Sequence, residues 1–457
     1  MGTIEFVPAT LPGNQWTKRT SLTIMVDYVP ALLNGIRNIN HIEFVPTAVG
    51  AVKYLTKQDI EYVPASTGID KRSKYTHEGF KVSWWEKTSF YHHRSMLVSA
   101  FYGQDYPNFR EAFNIPDWLW LLADSGGFQN ITRKTDLTPE NVLKWAEVNA
   151  QATLTLDYPL VTKISDLSTR YVLANQDEIE RRLVKTAVDA RVMHEKRTTN
   201  LELIFVTHGN TWADFDLALK KLKDEGMTLE DFDGESKSLK GDTPLIVAMK
   251  ICHTLKNVPK GKRFHFLGLS GLHTTLVLFY AMTYRPDLVT TFDSSTYGSA
   301  GAIRREYWVH DQRYPIFFSS AEKIYAMKKL PCDCPVCNVV KTTDALIAPG
   351  SIAGGLIALH NLYIFLRYVN ILNAIGEDRE AIRDFATKFL GDKNIISVFD
   401  FIDYVMETDD VNGALRKFRN LVNWGKQEST IKKGSLDDIF GGKNNGNRPT
   451  PDSDKEE

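Results

Sequence analysis

The sequence has few cysteines and no long uninterrupted apolar run. Only four of its 457 residues are cysteine, which excludes a scaffold stapled by many disulfides. No run of about 18 apolar residues occurs, so we expect no membrane span. The first residues do not combine a basic start with an apolar core, so we expect no secretory signal. If the cysteines bind a metal, a reducing cytoplasm fits.

The sequence also lacks an excess of either charge. Its formal net charge is −1, so a nucleic-acid surface would have to be a local patch. No G-x-G-x-x-G or G-x-x-x-x-G-K-[ST] motif follows any apolar run, which argues against a nucleotide-cofactor fold. The hydrophobic content of 43% is enough for a large buried core.

Three of the four cysteines lie close together, at Cys332, Cys334 and Cys337. With His360, in the apolar segment SIAGGLIALHNLYIFL, they make a complete tetrahedral set for zinc. Four protein ligands leave no open position, so the sequence predicts a structural zinc. The alternative is a reduced cysteine cluster without metal. Cys252, alone in VAMKICHTL, is interpreted as a small buried residue.

Short apolar runs alternate with helical stretches from about residue 91. The runs are 118–124, 152–160, 201–209, 263–271 and 287–295, and the helical candidates are 138–151, 168–197, 212–226, 243–257 and 272–284. This alternation predicts a parallel sheet, either a closed (β/α)8 barrel or an open doubly wound sheet.

Polar residues and a glycine end these runs, at Asp124, Asp157, His208, Gly268 and Asp293. Only a barrel gathers the carboxyl ends of five strands at one mouth. We therefore predict an α/β fold, a (β/α)8 TIM barrel. Two carboxylates in one pocket could perform displacement at a sugar's anomeric carbon. The alternative for Asp124 is that it caps a helix or turn.

The motifs resemble those of the tRNA-guanine transglycosylase family. DSGGFQ, a lone Asp157, a Gly-Leu strand end, FDSSTY and C-x-C-x-x-C…HNLY occur in a fixed order over about residues 118–365. The resemblance implies a zinc-containing barrel that exchanges guanine in a polynucleotide for a 7-deazaguanine. It implies Asp293 as nucleophile, Asp124 as acid/base, and Asp157 as the reader of the base. The further base-binding positions are Ser125, Gly126, Phe128, Gln129, Gly209, Gly268, Leu269 and Tyr297.

One position departs from the family. Its members usually have Gln-Gly at the fourth strand end, where this chain has His208-Gly209. A neutral imidazole could donate to the base carbonyl, or His208 could be held in an ordinary loop hydrogen bond. His208 and the divergent N-terminal segment are more similar to the DNA-acting, phage- and island-associated members, as is the lack of length for the RNA-binding domains of archaeal relatives. The resemblance therefore implies DNA as the partner, in a host cytoplasm if the chain is phage-encoded.

The expected domains are a divergent N-terminal segment (1–90, partly barrel), a barrel (91–375) with an inserted zinc subdomain (about 323–365), a helical C-terminal extension (376–424) and a disordered tail (425–457). Arg304, Arg305, Lys328 and Lys329 are candidate phosphate contacts, or else an ordinary solvated surface. In the tail, Leu436, Ile439 and Phe440 resemble a peptide that docks on a sliding clamp, or are a chance apolar triplet. A homodimer is implied by resemblance only.

Two alternatives to DNA guanine exchange stay open. The first is the same exchange on tRNA, and the second is a catalytically silent, zinc-containing barrel that binds nucleic acid. The presence of both Asp124 and Asp293 argues against the silent barrel.

Overall fold

Eight parallel strands form the framework of the molecule. They are β1 (Glu43–Pro46), β2 (Ser95–Ser99), β3 (Trp120–Asp124), β4 (Ala152–Leu154), β5 (Glu202–Val206), β6 (Gly234–Ser238), β7 (Arg263–Leu267) and β8 (Val289–Ser294). The computed structural model describes residues 43–46, 60–61, 79–80, 95–104, 106–112, 115–133, 137–163, 171–239, 242–269, 271–294, 296–302, 306–309, 312–315, 332, 334, 336–337, 351–390, 393–421 and 424.

The strands follow one another around a nearly closed barrel. Each strand from β2 to β8 pairs in parallel with the next along the chain, and β1 pairs with β8. β1 also lies against β2, which brings the two ends of the sheet together. The predicted barrel, with its Cys3His cluster and C-terminal helices, is confirmed.

Apolar side chains fill the inside of the barrel. Leu97, Leu122, Leu154, Ile204 and Val206 form one buried cluster, because alternate residues of each strand point inward. At the amino ends of the strands the Arg263 guanidinium lies 4.5 Å from the centre of the Trp120 ring and bonds to Glu202. Three side chains thus contact one another at that end of the barrel.

Helices cover the outside of the barrel. They are α1 (Ala100–Gly103), α2 (Phe109–Ala112), α3 (Gly127–Arg133), α4 (Pro139–Asn149), α5 (Gln176–Lys196), α6 (Trp212–Asp224), α7 (Pro244–Asn257), α8 (Leu272–Met282), α9 (Thr296–Ala302), α10 (Ser351–Ile375), α11 (Arg379–Phe385), α12 (Lys393–Thr408) and α13 (Val411–Lys417). Side-chain caps at Thr138, Asn175 and Thr211 begin α4, α5 and α6, since each oxygen accepts from a backbone N–H that the helix itself leaves unpaired.

Short elements complete the described structure. Three two-stranded antiparallel ribbons pair Ile60–Glu61 with Gly79–Phe80, Val161–Lys163 with Tyr171–Leu173, and Glu306–Val309 with Gln312–Pro315. Single turns of 3-10 helix span Leu229–Asp231 and Arg419–Leu421, and a π-helical turn spans Ala386–Leu390.

The structure differs from the sequence prediction in the middle of the barrel. The helix expected over 168–197 begins only at Gln176, because Tyr171–Leu173 forms a ribbon strand and Asn175 caps the helix. Most of the N-terminal segment, all of the tail, and the positions Arg304, Arg305, Lys328, Lys329, Leu436, Ile439 and Phe440 lie outside the described residues. Among the helices that the structure does describe, none is long and apolar enough to cross a membrane.

Candidate active site and metal centre

Three carboxylates gather at the carboxyl-terminal mouth of the barrel. Asp124 ends β3, Asp293 lies at the end of β8, and Asp157 follows β4. The charges of both Asp157 and Asp293 act on Asp124. The strand ends therefore bring the predicted acidic residues into one site, as the barrel topology requires.

Asp124 is the carboxyl group whose acidity changes most at this mouth. Burial raises its pKa to about 7, and the negative charges of Asp157 and Asp293 add to the effect. The Ser99 hydroxyl and the Gly126 backbone N–H oppose the shift by favouring the charged form. A carboxyl group that holds its proton near neutral pH can donate it to a leaving group.

Asp157 is held by two side chains. Ser125 Oγ donates to Asp157 Oδ1 at 2.5 Å, and His208 Nε2 lies 2.6 Å from Asp157 Oδ2. The Gly127 N–H in turn donates to Ser125 Oγ at 3.1 Å. His208 and Asp157 are both buried. His208, which the sequence places at a strand end, therefore contacts the Asp157 carboxylate.

The DSGG turn requires its two glycines. Gly126 has φ +78°, a left-handed conformation that residues with a Cβ rarely adopt. A Cβ at Gly127 would lie 2.1 Å from the Asp157 carbonyl oxygen. The turn can approach Asp157 this closely only because neither residue has a side chain.

Asp293 is fixed from the neighbouring strand. The Gly268 N–H donates to Asp293 Oδ1 at 3.0 Å, and Gly268 itself has φ +77°. His265, two residues before the end of β7, has Nε2 at 3.4 Å from the same oxygen. A backbone donor and a buried imidazole thus face one oxygen of the predicted nucleophile.

The other predicted base-binding residues lie around this mouth. Gln129 and Leu269 are buried and Phe128 is half-buried. Gly209 packs against the Phe215 ring, since a Cβ there would be 2.9 Å from it. Tyr297 is buried, and its burial together with the charge of Asp293 raises its pKa. Their roles stay predictions.

Sequence reasoning missed Ser99 and His265. Ser99 ends β2 beside Asp124 in the sheet register. His265 stands alone in the apolar run RFHFL, where a histidine is typical of a core. The period-two alternation of β7 was the usable signal, because it gives His265 and Leu267 the same inward face.

The four predicted metal ligands form one buried cluster. The ligand atoms of Cys332, Cys334, Cys337 and His360 all lie within 4.8 Å of one another. His360 Nδ1 is 3.3 Å from Cys334 Sγ and 3.4 Å from Cys337 Sγ. Three thiolates and an imidazole at this spacing fit one tetrahedral ion with metal–sulfur bonds of about 2.3 Å.

The surroundings of His360 direct its Nδ1 toward the cysteines. His360 Nε2 donates to the Trp308 carbonyl oxygen at 2.7 Å, which leaves the Nδ1 lone pair for a metal. The Tyr307 ring stacks on the imidazole at 3.7 Å. Hydrogen bonds from the neighbouring thiols, first Cys332, lower the pKa of Cys334, whereas burial raises the pKa of Cys337. This arrangement favours thiolate–imidazole ligation.

The metal cluster is tied to the helix that follows Asp293. α9 crosses α10 so closely that a Cβ at Gly301 would lie 2.2 Å from the Ala358 nitrogen. Asn361, next to His360, accepts from the Trp308 N–H at 2.9 Å and donates to the Glu306 carbonyl at 2.8 Å. The fourth cysteine, Cys252, is buried in α7, and its pKa is raised to about 12 by burial.

The chain is distantly similar to a guanine transglycosylase. It is 24% identical over 264 residues to the tRNA-guanine(15) transglycosylase of Sulfolobus acidocaldarius. The match covers 55% of this chain and 47% of that relative, so the chain spans about half the length of the curated protein it matches. No protein-family model matches the chain. The similarity supports a relationship to the tRNA-guanine transglycosylase family, which the motifs also indicate.

Proposed function

We propose that this protein is a guanine transglycosylase that exchanges guanine in DNA for a 7-deazaguanine base through a covalent glycosyl-aspartate intermediate. The observation that carries the proposal is the meeting of Asp124 and Asp293 at one barrel mouth, with the Asp124 pKa raised to about 7. The distant similarity to a tRNA-guanine(15) transglycosylase supports the reaction class.

In the first half of the reaction, an Asp293 oxygen attacks the anomeric carbon of the target nucleotide. The bond from that carbon to the guanine nitrogen breaks, and its electron pair goes to the base. Asp124, which holds a proton near neutral pH, protonates the departing guanine. The products are a sugar–Asp293 ester, free guanine and an Asp124 carboxylate.

The second half reverses these roles. The Asp124 carboxylate takes a proton from the ring nitrogen of the incoming 7-deazaguanine. That nitrogen then attacks the anomeric carbon, and the bond to Asp293 breaks with its electrons returning to the carboxylate. Two displacements give net retention at the sugar. The exchange needs no ATP and no redox cofactor.

We assign base recognition to Asp157, which contacts the side chains of Ser125 and His208. Ser125 and His208 hold Asp157 with one contact on each oxygen, which fixes the plane of its carboxylate toward the guanine edge. A carboxylate in that position accepts from the ring N–H and exocyclic amine that guanine and 7-deazaguanines share. The Gly268–Leu269 backbone and the Phe128 ring complete the slot.

The metal assigned to Cys332, Cys334, Cys337 and His360 is zinc with a structural role. The soft, closed donor set suits Zn²⁺, and four protein ligands leave no open position for water. When bound, the ion cross-links a short cysteine turn to α10. The two residues proposed for catalysis, Asp124 and Asp293, both lie at the barrel mouth.

DNA is proposed over tRNA because of His208. This residue stands where the family usually has an amide side chain, and its contact with Asp157 supports a changed choice of substrate. The tRNA substrate is the second candidate, since the matched relative is a tRNA-guanine(15) transglycosylase.

Isotope exchange tests the proposal directly. The protein is incubated with radiolabelled guanine and either duplex DNA or tRNA, and the label in each polymer is counted. We expect label in DNA, and none with Asp293→Asn. Asp224→Asn, which changes an exposed acid paired with Lys220 on α6, should exchange like the parent. Label only in tRNA would defeat the DNA assignment, and label in neither would defeat the transglycosylase.

A further inference from the structure

His265 is a buried imidazole directly beneath the predicted nucleophile. It lies in the middle of β7, and its side chain is completely buried. In the sheet register it lies beside Ser236 of β6 and Thr291 of β8. Residues side by side in a parallel sheet share a face, and Asp293 is two residues beyond Thr291 on that same face. His265 therefore belongs to the inner layer below the mouth.

Thr291 is the hydrogen-bond partner of His265 Nδ1. Thr291 Oγ1 is 2.9 Å from His265 Nδ1, and the same hydroxyl lies 3.3 Å from the Phe264 carbonyl oxygen, a second acceptor for its single proton. When the hydroxyl donates to Nδ1, the proton of a neutral ring is on Nε2. That nitrogen faces Asp293 Oδ1 at 3.4 Å.

Within the described part of the chain, His265 Nε2 has no partner that meets the distance and angle of a hydrogen bond. A buried polar atom left without a hydrogen bond destabilises the folded state. Contacts of catalytic groups are often long before substrate binds and tighten in the complex. The nearest partner for this donor is Asp293 Oδ1, which already accepts from the Gly268 N–H.

We propose that His265, oriented by Thr291, is a positioning residue for Asp293. This proposal rests on the proposed function. The Gly268 N–H and the His265 Nε2–H converge on one oxygen and thereby fix the rotation of the carboxylate for attack at the anomeric carbon. The same two donors receive the negative charge that returns to Asp293 when the incoming base displaces it.

Single-turnover kinetics tests the positioning role. The enzyme is mixed with DNA and no incoming base, and the covalent complex is quantified on denaturing gels over time. We expect His265→Phe to slow complex formation by about ten- to a hundredfold, as a misplaced reacting group does, with the KM for the incoming base unchanged. His265→Gln, which restores an N–H donor near Nε2, should recover part of the rate.

Two threonine variants separate orientation from packing. Thr291→Val removes the hydroxyl that fixes the ring and should slow complex formation, whereas Thr291→Ser should recover much of that rate. The matched control is Thr290→Val. Thr290 is the adjacent buried residue of β8, and its hydroxyl bonds to nothing among the described residues. Equal rates for Thr291→Val and Thr290→Val would overturn the proposal, as would a rise in KM alone for His265→Phe.

Nitrogen-15 NMR of histidine-labelled protein gives a measurement that does not depend on activity. The His265 signals are identified by their loss in His265→Gln. We expect the Nε2–H form in the parent and a mixture of the two tautomers in Thr291→Val. A parent ring protonated on Nδ1 alone would overturn the proposal. If the parent exchanges no base on DNA or tRNA, the transglycosylase fails, while the NMR result still decides whether the ring is oriented toward Asp293.

Discussion

At the scale of single residues, the mouth of the barrel is an electrostatic arrangement of three acids. Asp124 is half-buried near Asp157 and Asp293, and desolvation together with their charges raises its pKa to about 7. Asp157 accepts a hydrogen bond from the Ser125 hydroxyl, and Asp293 accepts one from the Gly268 N–H. Neighbouring carboxylates in different environments are how a site obtains one proton donor and one charged nucleophile.

The first prediction concerns the pH dependence of covalent-complex formation. Asp124 donates only while protonated, so the rate of the first half-reaction should fall as pH rises through about 7. Asp124→Asn should lower that rate by about a hundredfold or more and abolish this part of the pH profile. The rate is measured by quench and denaturing gel between pH 5.5 and 9. A rate that climbs steadily across this range would contradict the assignment.

The second prediction concerns stability at the same residue. The folded pKa of Asp124, about 7, is above its ordinary value of 3.8, so the unfolded chain loses this proton first. The stabilisation is complete below pH 4 and is lost as pH rises to 7. Asp124→Asn should therefore unfold at higher urea than the parent at pH 8, with the gap narrowing toward pH 4. An equal gap at both pH values would refute it.

The positions of the three acids at the ends of apolar runs predicted that they share a site, but could not predict their hydrogen-bond partners. Asp124, Asp157 and Asp293 stand out because each follows an apolar run, and a barrel brings such positions together. Their charge–charge distances depend on strand stagger, which no single strand encodes. His265 was missed because a single histidine in an apolar run is typical of a core residue. His208 was predicted at its strand end, but its contact with Asp157 was not, because the direction of its side chain depends on where Asp157 lies.

At the scale of elements, β6 is the strand that apolar patterning cannot find. Its sequence, GESKS, is polar and yet buried. Lys237 Nζ donates to Glu235 Oε1 at 2.7 Å and to Thr254 Oγ1 at 2.9 Å, and it is 3.1 Å from His253 Nδ1. Glu235 also accepts from Thr207, the residue before His208. Partners from β5 and α7 make this polar strand possible.

The third prediction tests that buried pair. Burial lowers the pKa of Lys237, and Glu235 opposes the change. Lys237→Met leaves a buried carboxylate without its cation, which should cost about 3 kcal/mol of unfolding free energy. Adding Glu235→Gln to that variant should recover part of the loss. Both are measured by urea unfolding, and a single-variant loss under about 1 kcal/mol would count against the pair.

The fourth prediction concerns the crossing of α9 and α10. A Cβ at Gly301 would lie 2.2 Å from the Ala358 backbone nitrogen, so Gly301→Val must push α10 away from α9. Because His360 is on α10, this displacement should weaken metal binding. The variant should therefore release bound metal to a chromogenic chelator faster than the parent does. Gly226→Asn is the control, since that glycine has open space around it and asparagine tolerates its φ of +78°. Equal release rates for the two variants would refute the coupling.

At the scale of the whole molecule, the two ends of the barrel differ. Trp120, Arg263 and Glu202 contact one another at the amino-terminal end, and the three acids lie at the other. The alternation of runs and helices predicted this architecture, and the cysteine spacing predicted the metal cluster. The ribbons could not be predicted, because strands of two to four residues leave no detectable periodicity.

The fifth prediction concerns removal of the metal from the intact protein. The cluster links a cysteine turn to α10, which packs on α9 and on the ribbon Glu306–Val309. Metal binding to the folded state alone is stabilising. Stripping the ion, or Cys334→Ser, should therefore lower the thermal midpoint by at least about 5 °C, measured by calorimetry with metal content from mass spectrometry. An unchanged midpoint in metal-free protein would contradict a structural ion.

The pairing of β1 with β8 affects the order in which the molecule can be made. Val45 lies beside Asp293 in that pair, so β1 cannot form this pairing until β8 has been synthesised. Contacts between residues so far apart along the chain form late, because a large loop must close first. A ribosome-bound fragment ending before residue 289 would have Asp124 but not Asp293. The two acids of the proposed active site thus come together only in a late step of folding.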